Sequence, residues 1–76
     1  MNHAAKRYTV QLSERDYQGR RLACEISDER YGDAAAASAA AKAEAFHLSM
    51  QLRRPIAIRI FEDERVYLSH IMPSPA

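Results

Sequence analysis

The stretch DAAAASAAAKAEAFHLSMQLR, residues Asp33 to Arg53, decides the fold of this chain. Alanine has the highest intrinsic helix propensity, and both ends carry stop signals. Gly32-Asp33 supplies a hinge and an N-cap, while Pro55 disfavours helical geometry at Arg54. One long helix is therefore predicted from Asp33 to about Arg53. At 100° per residue it carries two apolar stripes. Ala36, Ala39, Ala43, Phe46 and Met50 form one, and Ala41, Ala45, Leu48 and Leu52 form the other. A helix needs one stripe to lie on a sheet. Small alanines allow close approach and Phe46 and Met50 would fill the far end, so the Phe46 stripe is predicted to face the sheet. Leu48 and Leu52 would then face outward as a helix interface.

Around the helix, alternation marks four strands. Tyr8, Val10 and Leu12 alternate with polar residues over Arg7 to Leu12, and Leu22, Cys24 and Ile26 do so over Arg20 to Ser27. The polar loop from Ser13 to Gly19 joins them as a hairpin. Ile56, Ile58 and Ile60 are the inward set of a third strand, and Val66 to Ile71 makes a fourth, joined through Glu62-Asp63-Glu64-Arg65. A right-handed crossover through the helix places the first strand between the second and third. The expected fold class is α+β: a four-stranded antiparallel sheet, β-β-α-β-β in order 2-1-3-4, with the helix on one face and the other face open.

At 76 residues the chain has room for one domain, 1–76, with flexible ends expected at 1–6 and 72–76. A domain of this size buries only about 60% of the surface of its unfolded chain. Cys24 is the sole cysteine, so no intrachain disulfide can form, which fits a reducing cytoplasm, and it reads as a small buried strand residue. The run Met1 to Arg7 has a basic pair without an apolar core, and no segment reaches the ~20 apolar residues of a membrane span. The expected location is the cytoplasm. A net charge of +1 indicates neither a strongly basic nucleic-acid binder nor a strongly acidic mimic. Nine of the eleven cations are arginine, the better interface residue, although a GC-rich genome would favour arginine and alanine alike.

Two surfaces are left for function. The open sheet face would carry Arg7, Thr9, Gln11, Arg21, Glu25, Arg59, Phe61 and Tyr67, of which Arg7, Arg21, Arg59, Phe61 and Tyr67 form the expected partner-binding set. Arginine and aromatic anchors suit a protein partner. They would also serve a nucleic acid, stacking bases and neutralising phosphates, although Glu25 opposes the charge and the aromatic-rich pattern of RNA-binding sheets is missing. The helix stripe of Leu48 and Leu52 suits a second copy or a foreign partner. The basic pairs Lys6-Arg7, Arg20-Arg21 and Arg53-Arg54 read as a solvated face or an anion patch, and Arg53-Arg54 complements the helix dipole. His3, His47 and His70 lack metal-ligand spacing, so neither a metal, a cofactor nor catalysis is expected.

No sequence motif identifies a family. In size and layout, from Tyr8 to Ile71, the chain resembles small phage or mobile-element proteins of the anti-CRISPR inhibitor type, several of which are one short sheet plus one helix. That resemblance implies inhibition by occlusion of a surface on a larger nucleoprotein complex, and carries over no functional residue. The expected function is a small non-enzymatic protein-binding module, with a nucleic-acid-binding domain or a homodimeric structural subunit as alternatives.

Overall fold

Ile56, Ile58 and Ile60 are β-branched and alternate with Ala57, Arg59 and Phe61, a pattern that favours a pleated strand. In the computed structural model, which describes residues 7–75, this run is the central strand of a three-stranded antiparallel sheet. The elements in chain order are β1 (Tyr8–Glu14), a 3-10 turn (Glu25–Asp28), α1 (Ala34–Leu52), β2 (Ile56–Glu62) and β3 (Arg65–Met72). The sheet order is β1-β2-β3, with Leu12 opposite Ile58 and Ile58 opposite His70. Residues 1–6, including His3 and Lys6, lie outside the described residues, as does Ala76.

The fold is α+β, but the sheet has three strands where four were expected. The segment expected as the second strand, Arg20 to Ser27, does lie along the outer edge of β1, yet its backbone bonds to that edge only through Arg20 and Leu22, and the next backbone pairing comes beyond it, at Tyr31. Ser13 bridges Arg21 and Tyr8 bridges Tyr31. The chain takes ten residues to travel between contacts that β1 separates by five. The excess bows outward, and the 3-10 turn at Glu25–Asp28 takes it up. Strict pairing from Arg21 would have placed Ile26 opposite Tyr8 and carried Tyr31 past the end of β1. Tyr31 instead exchanges both backbone hydrogen bonds with Tyr8, at 2.7 and 2.9 Å, and the helix starts from there. Leu22, Cys24 and Ile26 still pack against the core, so their alternation reflected burial without a ladder.

The helix has the expected limits. Asp33 accepts a hydrogen bond from the Ala35 amide at 3.3 Å, and Arg53 closes the last turn in the left-handed region, φ 55°, donating its N–H to Ser49 O. Its orientation reverses the expected one. Ala37, Ala41, Ala45 and Ser49 are buried against the sheet, with Leu48 and Leu52 packed beside them, while Phe46 is 57% and Met50 51% exposed. The sheet explains the reversal. Tyr8, Val10, Leu12, Ile56, Ile58 and Ile60 already fill the space between the layers, leaving room only for alanine and serine opposite. The helix lies over β2 and β1 and meets β3 only at its margin.

Candidate interaction surfaces

The two edges of the sheet differ, and backbone geometry shows how. Tyr8 points its N–H and C=O away from β2 toward Tyr31, the Leu12 C=O accepts from the Leu22 N–H on the same side, and the Glu14 N–H donates to Arg20 O. Antiparallel pairs alternate between bonded and non-bonded, so the intervening Thr9, Gln11 and Ser13 bond to β2. It follows that Ile56, Ile58 and Ile60 bond to Met72, His70 and Leu68. Ser69 and Ile71 of β3 therefore direct their backbone groups outward, where no strand among the described residues covers them. The edge of β1 is sheathed by Arg20 to Tyr31, whereas among the described residues nothing pairs with the edge of β3. Along β3, Val66 is 54%, Tyr67 52% and Ile71 39% exposed. Its middle carries neither proline nor a formal charge, the usual protections of an exposed edge.

On the face away from the helix, register aligns Gln11, Arg59 and Ser69 across the three strands. With its amide carbonyl turned toward Arg21, Gln11 accepts from Arg21 Nε at 3.1 Å and Nη2 at 2.6 Å. Arg59 lies over the Tyr17 ring, 4.8 Å from its centre, and its Nε is enclosed without a hydrogen-bond partner. Such an unpaired buried donor costs about 1–3 kcal/mol. Tyr17 comes from the loop after β1, which is folded back by an Arg15 N–H to Pro55 O bond of 2.8 Å. Gly19 is needed in that loop, since a Cβ there would stand 1.7 Å from Glu14 O. Next to this row lies a shallow depression of about 440 Å³ lined by Thr9, Gln11, Arg21, Asp28 and Phe61 among others.

Of the expected partner-binding residues, Arg59 and Phe61 share the open face, and Arg21 reaches it through Gln11 from outside any strand. Arg7 lies just before β1, exposed, with its amide bonded to Asp63 Oδ1 at 3.3 Å. Tyr67 goes elsewhere. A bulge opposite Phe61 turns its ring against Tyr8, edge-on at 5.4 Å, on the helix side of the sheet. The Tyr8 hydroxyl donates to Glu62 at 2.7 Å. That bond, then burial, then the charge of Glu62 push the Tyr8 pKa up to about 12. Burial raises the Tyr31 pKa too.

Leu48 and Leu52, expected on the outer helix face, are half-buried against the core, and the outward stripe is Ala36, Ala39, Ala43, Phe46 and Met50. The loop fold-back also brings two basic pairs together. Glu14 accepts from Arg54 at 2.9 Å and faces Arg20 Nε at 3.5 Å, so these arginines share a carboxylate. His47 and His70 are exposed, and among the described residues no group of three His, Cys, Asp or Glu could hold a metal ion. Cys24 Sγ lies 3.1 Å from Ser27 Oγ in the 3-10 turn. No described helix is long and apolar enough to cross a membrane. Comparison with protein-family models, curated proteins and solved structures finds no match to this chain.

Proposed function

We propose that the chain is a small non-enzymatic protein-binding module that captures its partner along the outer edge of β3. One contrast carries this reading: the edge of β1 is sheathed by its own chain, while the edge of β3 offers outward backbone groups flanked by half-exposed Val66, Tyr67 and Ile71. Strand addition draws affinity from main-chain hydrogen bonds and specificity from alternate side chains. A cytoplasmic setting, suited to a lone thiol, belongs to the same proposal. So does its narrower form, an inhibitor that occludes a surface of a nucleoprotein complex such as a CRISPR effector.

Ser69→Pro provides the test. It removes only an outward N–H, so the β2–β3 ladder survives, yet an incoming strand loses its central donor. Wild-type protein used as bait in a nuclease-treated extract should retain a partner that Ser69→Pro loses. Equal retention by both would sink the edge assignment.

The row of Arg21, Gln11 and Arg59 with Tyr17 and Phe61 supports a second reading, a single-stranded nucleic-acid surface. Binding of that kind weakens steeply with salt. Failure to bind mixed-sequence oligonucleotides at low ionic strength would dismiss it.

A further inference from the structure

Arg59 occupies an unusual position for a guanidinium. It projects from the central strand, stacks on Tyr17 and buries its Nε, and among the described residues none of its donors meets an acceptor. Arg21 bonds to the Gln11 carbonyl, and neither arginine has a carboxylate within ion-pair distance among the described residues. Asp28 lines the neighbouring depression without pairing to Arg21. The open face next to β3 therefore carries the Arg59 guanidinium, one strand from the edge, with no carboxylate paired to it among the described residues.

Register connects this charge to the bare edge. Arg59 pairs with Ser69, the smallest residue in the middle of β3, and Ser69 is one of the residues whose backbone faces outward. A strand added to β3 would place one residue directly opposite Ser69, on the same face as Arg59 and about 10 Å from it across two strand spacings. A serine between them leaves the path over the sheet clear. A long carboxylate side chain at that position and the Arg59 guanidinium would meet above Ser69. A second copy pairing symmetrically about Ser69 would offer only another serine there, so charge selects a different occupant.

Resting on the edge-binding reading above, we infer that the occupant of the β3 edge is an extended acidic segment of a partner protein, with a glutamate opposite Ser69 received by Arg59. The carboxylate would take the guanidinium fork in a charge-assisted bidentate contact, the strongest common form of this pairing. The neighbouring residues of the segment would lie against Tyr67 and Ile71.

Two capped heptapeptides of alternating threonine and valine, one with central glutamate and the other with central glutamine, test this by amide chemical-shift titration of the whole protein. The glutamate peptide should shift the Tyr67, Ser69 and Ile71 amides and bind about tenfold tighter than its twin, and Arg59→Gln should erase the difference. Equal binding of both peptides at the edge would overturn the carboxylate inference and leave strand addition standing. No shift at these amides with millimolar peptide would overturn both. Shifts that follow protein concentration without peptide would make a second copy the occupant, and also overturn the inference.

Discussion

Ala41→Leu and Phe46→Ala, compared in one experiment, test which face of the helix meets the sheet. Ala41 has no exposed surface, and the side chains of the core cluster it belongs to, among them Val10, Leu12 and Ile58, are themselves almost wholly buried. Three added carbons have no space there, and overpacking of this kind costs about 1–3 kcal/mol. Phe46 is 57% exposed, so truncation forfeits less than half of a burial worth about 1.5–3 kcal/mol, or about 1 kcal/mol. The better helix propensity of alanine returns about 0.5 kcal/mol. At about 4–8 °C per kcal/mol for a domain of this size, a 2 kcal/mol loss in Ala41→Leu lowers Tm by about 8–16 °C. The net 0.5 kcal/mol in Phe46→Ala lowers it by about 2–4 °C. Circular dichroism melts of the two variants beside wild type provide the assay. Were the Phe46 stripe on the sheet, Phe46→Ala would cost about 3–5 kcal/mol and Ala41→Leu almost nothing, and that order would refute the packing described above.

Removing the helix cap with Asp33→Ala should cost about 1 kcal/mol in urea unfolding, since the Ala35 amide loses its acceptor. Arg53→Gly should gain about 1 kcal/mol in the same assay, because glycine takes the left-handed C-cap conformation without the Cβ penalty. Among the four tyrosines, Tyr8 should ionise near pH 12 in an ultraviolet titration, and Glu62→Gln should return it toward 10. Because the folded value is raised, its stabilising contribution is complete below pH 10 and lost as pH rises from 10 through 12. A Tyr8→Phe variant identifies the signal.

The helix was legible almost to the residue, because Asp33, the alanine run and Pro55 act locally and need no tertiary context. The hairpin of β2 and β3 was legible for the same reason, through β-branched alternation interrupted by a charged turn. The packed helix face was not. Both stripes are apolar, and the choice between them depends on how much volume the sheet side chains occupy, which periodicity does not report. The segment from Arg20 to Ser27 misled in another way. Leu22, Cys24 and Ile26 do turn inward, but whether a segment ladders with its neighbour depends on where the chain must next arrive, and Tyr31 has to reach Tyr8.

At the candidate site, Arg59 and Phe61 were legible because strand alternation fixes their face once β2 is identified. Tyr67 was misplaced because a bulge between Ile60 and Phe61 breaks that alternation, and no glycine marks it in the sequence. Tyr17 was missed, since its role depends on a loop that folds back over the sheet. Gly19, which can approach Glu14 O because it lacks a side chain, was the one sequence sign of that close turn.

Residue-resolved hydrogen exchange of the free protein at low concentration tests most directly whether the β3 edge is open. Leu68 and His70, bonded to β2, should be protected, while the alternating Ser69 and Ile71 should exchange at close to unprotected rates. Equal protection of all four amides would mean that the edge is already covered, and would contradict its assignment as the place where a partner strand docks.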